Sequence, residues 1–437
     1  MTIEDLYQLY VKHPMVSTDT RKIEHNSIFF ALKGPNFNAN SFAEESLMKG
    51  AAFAVIDEEK YKKNDKYILV DDVLIALQKL AQYHREKLAI PIIAIVGSNG
   101  KTTTKELLSC VLKQQYNVHS TPGNFNNHIG LPLTLLQLTQ QHEIAIIEMG
   151  ANHIGENAEL CNIACPTEGI ITNNGKDHLE GFGSIEGVAQ SNSELYYYLL
   201  KNNGTAFVNA NDEWLMRMAN RLNKKITYAA NAENKNAVAM CIGQAEKLRP
   251  EITFTYNYLD IESKKMITSN LSGDYNFDNI MAAVCIGKHF LISDDNIQKG
   301  IEEYQPTNNR SQVIKKAKNT LYLDAYNANP SSLEASLKNF AAMPFSNKIA
   351  IIGDMFEMGI YAEQEHANMI EFCLKLNIDE VWLVGEEFSK HKQGAMKQFL
   401  TTVEVRDYLA NHALENRNIF IKGSRGMKLE TLIDIIA

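Results

Sequence analysis

A run of mostly β-branched residues at 90–96 passes directly into Gly97-Ser-Asn-Gly-Lys-Thr-Thr-Thr104, and little else in the chain constrains the fold so tightly. The run predicts a buried strand, the glycines a loop, and the residues from Lys101 onward a helix. The first turn of a helix offers unpaired N–H groups and the positive end of its dipole, which together attract phosphate. Gly97 and Gly100 let the backbone wrap close around an anion, Lys101 supplies charge near the β/γ-phosphates, and the Thr102 hydroxyl suits Mg²⁺. The spacing is the shorter G-x-x-G-K-T form, because the first glycine of the usual G-x-x-x-x-G-K-[ST] falls on Ile95. Gly97, Ser98, Asn99, Gly100, Lys101, Thr102 and Thr103 are therefore candidate nucleotide-binding residues, with ATP and Mg²⁺ as cofactors. The competing reading, a Gly-Lys-Thr turn with no ligand, is disfavoured by the strand–loop–helix context.

At 437 residues the length suggests roughly three domains of about 150 residues each. A net charge of −9 argues against nucleic acid as the main partner, since phosphate-backbone binding needs a basic face. It leaves room for anionic small molecules held by local groups such as Lys101. No apolar run approaches the length of a membrane span, and the acidic start Met1-Thr-Ile-Glu-Asp5 lacks the features of a signal peptide. The six cysteines are scattered and form no CxxC pair, so they read as small buried hydrophobes rather than a disulfide or zinc framework. A cytoplasmic, monomeric chain without membrane insertion is expected.

Three α/β segments follow from the pattern. Residues 1–86 hold short strands at 27–32, 51–56 and 67–70 around a helix near 41–49, and a helical stretch at 73–86 leads into the phosphate-loop strand. Residues 87–310 repeat strand–loop–helix units, with strands at 142–147, 169–172 and 205–209. Leu107, Leu108, Val111 and Leu112 form the buried stripe of the helix after the loop. Residues 311–437 repeat the pattern with strands at 320–324, 348–353, 380–384 and 418–421. A final helix there places Leu429, Leu432, Ile433 and Ile436 on one face. Apolar strands alternating with helices predict mostly parallel sheets covered on both faces, with ligands beyond the carboxyl ends of the strands.

Glu148 ends the strand beside the phosphate loop, where a carboxylate is placed to hold Mg²⁺. His178 follows the next strand and shares that edge of the sheet; a lone histidine is more often a surface or capping group, but the shared edge admits a metal role. Two Asn-rich stretches, Thr121-Pro-Gly-Asn-Phe-Asn-Asn127 and Asn276-Phe-Asp-Asn279, each precede or open a helix. Local capping explains them, although side-chain amides also suit a base edge or a peptide.

The phosphate loop, the 121–127 stretch, Glu148-Met-Gly-Ala151, His178-Leu-Glu-Gly-Phe-Gly183, Asp324-Ala-Tyr-Asn-Ala-Asn-Pro330, Gly353-Asp-Met355 and Lys422-Gly-Ser-Arg425 occur in one order. Together they closely resemble the Mur ligase family of peptidoglycan precursor synthesis. Thr18-Asp-Thr-Arg21 and Phe29-Phe-Ala-Leu-Lys-Gly34 extend the resemblance to a UDP-sugar-binding domain at the amino terminus. The 178–183 and 324–330 stretches resemble the branch that adds D-alanyl-D-alanine to UDP-N-acetylmuramoyl-tripeptide. The resemblance implies a small UDP-sugar domain, a central ATPase domain and a Rossmann-like third domain. It further implies an ADP-forming ligase working through an acyl phosphate. Lys101, Glu148 and His178 would be catalytic, with Thr102, Glu148 and His178 at metal, and Asn279, Arg310 and Asp324 on the nucleotide. Asp19, Lys33 and Gly34 would meet the UDP-sugar. Asn124, Asn127, Asn327, Asn329, Asp354 and Arg425 would serve the remaining substrate.

One position departs from the family. Its members usually carry a carbamylated lysine fourteen residues after the metal-binding histidine, and that place is Asn192 here. Asparagine offers a neutral carbonyl oxygen instead of an anion, and Lys176 is a nearby lysine that could reach the site in its place. Rival readings are a ligase adding another amino acid, including the folylpolyglutamate type, and a ligase-like scaffold. Retention of Lys101, Thr102, Glu148 and His178 disfavours the scaffold.

Overall fold

The computed structural model describes residues 1–231, 239–263, 265–316, 318–391 and 396–436. Three principal sheets follow one another along the chain. The first has four parallel strands in the order Val16–Ser17, Ile28–Phe30, Phe53–Ile56 and Tyr67–Leu69. The third has six, ordered Gln312–Lys315, Thr320–Leu323, Asn418–Lys422, Lys348–Gly353, Glu380–Val384 and Lys397–Phe399; only its first pairing is antiparallel.

Among the described residues the central sheet has ten strands. The phosphate-loop strand Ile92–Val96 lies in its parallel part, between Ile144–Glu148 and Glu168–Ile171. All five of its residues are buried, as a strand covered on both faces requires. Further along the sheet, Cys241–Lys247 pairs antiparallel with Ile252–Tyr258. The α/β class with mostly parallel sheets is as the sequence predicts, with this antiparallel extension added.

The first two sheets share one core. The helix Val73–Leu88 buries Val73, Leu77, Leu80 and Ala81 in a cluster that includes Ile28 and Val55 on one side and Ile92 and Ala94 on the other. Its last turn is tied down by polar contacts: Arg85 donates to the carbonyls of Ala164 and Cys165, both at 3.1 Å. Asp72 caps the start, accepting from the Ile75 N–H at 2.8 Å, which satisfies one donor of the open first turn.

The carboxyl terminus differs from expectation. Residues 429–434 form a 3₁₀ turn instead of an α-helix. Leu429 and Leu432 are buried at a spacing of three, which a 3₁₀ turn sets on one edge, and the segment is too short to recover the cost of nucleating a regular helix.

Candidate functional site

The helix that follows the phosphate loop begins at Lys101 and runs to Leu112. Gly100 caps it at φ +80°, and a Cβ there would lie 2.5 Å from Asn279 Oδ1. At Gly97, φ is +130° and a Cβ would meet Thr172 Oγ1 at 2.2 Å. Both positions therefore need glycine, for conformation and for space. The loop is braced by the neighbouring strand end: Asn99 N–H donates to Asn173 Oδ1 at 3.0 Å, and Thr172 Oγ1 donates to Asn99 O at 2.6 Å. Lys101 Nζ folds back over the loop onto the carbonyl of Gly97.

Glu148 stands level with Ile95 in the sheet register and is buried. Its Oε1 accepts from Asn126 Nδ2 at 3.0 Å. Its Oε2 has no hydrogen-bond partner among the described residues and lies 3.5 Å from Lys105 Nζ. A buried carboxylate oxygen left open beside a phosphate loop suits a hard cation. Thr102, in the first turn of the helix after the loop, adds a hydroxyl. Among the described residues no three His, Cys, Asp or Glu side chains converge on one point, so the donor set fits an ion that keeps water or phosphate oxygens among its ligands.

His178 has φ 45° and leads into the short helix Leu179–Phe182. Its Nδ1 is paired with the Glu357 carboxylate, which arrives from the loop after the strand Lys348–Gly353. That pairing holds Glu357 below the usual carboxylate range. Lys176 is likewise engaged across the same junction, 2.7 Å from Glu365.

The third sheet completes a cavity of about 860 Å³. Asp324 accepts from Lys422 Nζ at 2.6 Å and from the Ser311 N–H at 3.3 Å. Lys422 also donates to Asn327 O at 3.1 Å, pinning the loop 324–329 from the end of its own neighbouring strand. Asn329 caps the helix Pro330–Ala341 and donates through Nδ2 to Asn99 Oδ1 at 2.9 Å, so the phosphate loop and the third sheet touch directly.

The cavity thus gathers Ser98, Asn99, Gly100, Lys101, Thr102 and Thr103 with Asn124, Asn127, Glu148, His178 and Asn279. From the third segment and its approach it adds Arg310, Asp324, Asn327, Asn329 and Arg425. Several of these side chains have structural duties too. Asn127 Oδ1 accepts from the Gly130 N–H at 2.8 Å, at the start of the helix Gly130–Leu135. Asn279 Oδ1 accepts from Thr104 Oγ1 at 3.1 Å.

Other predicted residues lie elsewhere. Gly97 is buried at the end of the strand Ile92–Val96 and is not on the cavity wall. Asp354 turns into the third segment, accepting from the N–H groups of Glu387 and Phe388 at 2.9 and 3.0 Å, with His366 Nε2 3.6 Å away. Asp19, Lys33 and Gly34 lie in the first segment, Asp19 capping the 3₁₀ turn Thr20–Lys22 and Lys33–Gly34 pairing with Phe37–Asn38 in a small separate ladder. Asp19 pairs with Arg21 at 2.8 Å, and Lys33 pairs with Asp57 and Glu58 at 2.9 and 3.0 Å.

Sequence reasoning missed Lys105, Asn126, Tyr326 and Glu357. Lys105 follows Lys101 by one helical turn, a spacing that places both on one face and was the available signal. Asn192 is buried in the helix Ile185–Lys201 and donates to Asn174 Oδ1 at 3.1 Å. Asn174 lines the cavity, with Asn192 behind it. At another part of the wall Asp278 accepts from Asn209 Nδ2 at 3.0 Å, and burial pushes its carboxyl up to about 7.

Comparison with known proteins agrees with this geometry. Residues 95–287 match the Mur ligase middle domain and residues 309–425 the Mur ligase, glutamate ligase domain. The UDP-N-acetylmuramoyl-tripeptide–D-alanyl-D-alanine ligase of Bacillus subtilis is 35% identical over 430 residues, covering 96% of this chain and 92% of that protein. The Escherichia coli ligase of the same name is 32% identical, with the same coverage of each chain. Crystal structure I of MurF from Acinetobacter baumannii superimposes with a TM-score of 0.88 at 29% identity, covering 99% of this chain and 98% of that one. With the phosphate loop, the buried Glu148 and the pinned 324–329 loop facing one cavity, and both domain matches flanking it, the chain belongs to the Mur ligase family.

Proposed function

We propose that this chain joins D-alanyl-D-alanine to UDP-N-acetylmuramoyl-tripeptide with the conversion of ATP to ADP and phosphate. The observation that carries this reading is the contact between Asn99 and Asn329 at 2.9 Å. Through it Arg310, Asp324 and Arg425 face Lys101 across one cavity. Full-length relatives bearing the name of this ligase support the choice of substrates.

In this reading the γ-phosphoryl group passes from ATP to the terminal carboxylate of the tripeptide, giving an acyl phosphate and ADP. The amine of the dipeptide attacks the acyl carbon, and the tetrahedral intermediate expels phosphate as the amide forms. The phosphate-loop N–H groups and Lys101 hold the β/γ-phosphates, so charge develops against fixed donors rather than reorganising water. Glu148 and Thr102, with the Nε2 of His178, are the residues that would hold Mg²⁺. When bound, the ion supplies neutralisation of phosphate charge. Arg310 takes the nucleotide side and Arg425 the dipeptide side.

The division of labour follows the three segments. Residues 1–86 receive the UDP-sugar through Asp19, Lys33 and Gly34, residues 87–310 bind ATP, and residues 311–437 bind the dipeptide and complete the site on closure. These substrates place the work in the cytoplasm, where ATP is available. Among the described residues no helix is long and apolar enough to cross a membrane.

The test is a product assay with purified UDP-muramoyl-tripeptide, ATP and a panel of dipeptides and single amino acids. Phosphate release and amide product that both depend on D-alanyl-D-alanine are expected. Preference for a single amino acid, or for a folate polyglutamate acceptor, would overturn the assignment.

A further inference from the structure

Two arginines of the cavity are brought against one aromatic ring. The Arg310 guanidinium carbon lies 3.7 Å from the centroid of Tyr326, and that of Arg425 lies 5.1 Å from the same centroid. Both distances fall within cation–π range. The three residues come from separate stretches: Arg310 precedes the strand Gln312–Lys315, Tyr326 sits in the loop after Thr320–Leu323, and Arg425 follows Asn418–Lys422.

The ring itself is held by its neighbours. Lys422 Nζ donates to Asp324 Oδ2 and Asn327 O, two residues before Tyr326 and one after it. Ser311, next to Arg310, donates its N–H to Asp324, and Ser424, next to Arg425, donates its hydroxyl to Ala328 O at 3.4 Å. One network therefore fixes the backbone on both sides of the ring and beside each arginine.

Neither guanidinium has a carboxylate partner within 4.0 Å among the described residues. Two like charges meet at one ring with their N–H donors unspent, and all three side chains line the cavity. A guanidinium stacked on an aromatic face keeps its edge donors free for anions. We propose that Tyr326 is a positioning residue that sets both arginines for substrate-borne anions. Arg310 serves a phosphate group of the nucleotide, and Arg425 the carboxylate terminus of the incoming dipeptide. Through the shared ring, the order of one arginine supports the order of the other. This rests on the dipeptide-ligase reading above.

Tyr326→Leu removes the ring, and Tyr326→Phe keeps it while removing the hydroxyl. In steady-state assays, Tyr326→Leu should raise KM for both ATP and the dipeptide by about tenfold. KM for the UDP-linked substrate should stay within about twofold, and Tyr326→Phe should behave like the wild type. A double-mutant cycle between Tyr326→Leu and Arg425→Ala should show effects on dipeptide KM that do not add. An active Tyr326→Leu enzyme with both KM values unchanged overturns the proposal, as does equal loss in Tyr326→Leu and Tyr326→Phe. If Tyr326→Leu does not fold, Tyr326→Met, which also removes the ring, takes its place under the same criteria. Failure of the underlying function would appear separately, as a wild-type chain that makes no amide product with the dipeptide.

Discussion

Lys105 Nζ lies 3.5 Å from Glu148 Oε2, and the two side chains are 4% and 3% exposed. Lys105 also donates to Thr121 O at 2.9 Å, while Thr121 Oγ1 accepts from the Glu148 N–H at 2.9 Å. The carboxylate beside the phosphate loop thus has an internal counter-charge supplied by the same helix that carries Lys101. Removing one member of a buried pair leaves the other uncompensated, at a cost of about 3–5 kcal/mol. Lys105→Met should therefore lower stability by roughly that amount in denaturant titrations. A midpoint equal to that of the wild type would mean that Glu148 does not depend on Lys105.

Lys101→Ala should reduce ligation by about a hundredfold to a thousandfold, because a charge aimed at the transferred phosphoryl group is lost. Among the described residues its side chain donates to the nearby Gly97 and Ser98 carbonyls, so thermal stability should change little. Activity within a few-fold of the wild type would remove the phosphate-loop assignment.

Asp278 predicts a pH dependence of stability. Its folded-state pKa is raised to about 7 by burial, while an unfolded aspartate titrates near 3.9. Between those values the folded state binds the extra proton, so stability falls as pH rises from about 4 to about 7. Asp278→Asn keeps an acceptor for Asn209 and removes the titration. The variant should gain on the wild type across that window, read as melting temperature against pH. Parallel curves for the two proteins would exclude Asp278 as the source.

Asn192 makes a prediction about carbon dioxide. Its amide is buried against Asn174, and Lys176 is occupied by Glu365, so neither side chain is placed to form a carbamate in the cavity. Wild-type ligation should be unchanged in CO₂-depleted buffer, and Asn192→Lys should introduce a requirement for bicarbonate. Loss of wild-type activity that bicarbonate restores would show that another lysine has taken the role.

Much of the scaffold could be read from the chain because its signals are local. The buried run before Gly97 and the glycines themselves specify strand, loop and helix start within a dozen residues, and Glu148 follows from the next apolar run. The parts that could not be read depend on distant segments meeting. Nothing near Tyr326 announces Arg310 and Arg425, and nothing near His178 announces Glu357. Asp354, to which the family resemblance gave a substrate role, has its carboxylate engaged by two backbone N–H groups of the helix Glu386–Ser389, a contact that no local pattern announces. The antiparallel strand Ile252–Tyr258 alternates buried and half-buried residues, a period-two pattern that belongs to a sheet covered differently on its two faces.

The Asn99–Asn329 contact ties the phosphate loop to the third segment through two neutral amides rather than an ion pair. A hydrogen bond of that kind contributes about 1 kcal/mol, close to thermal energy, and salt does not screen it as it screens exposed charges. The Lys176–Glu365 pair across the same junction is charged, so the two kinds of contact respond differently to ionic strength. Added salt therefore weakens the charged part of this junction while leaving the amide contact between the phosphate loop and the third segment in place.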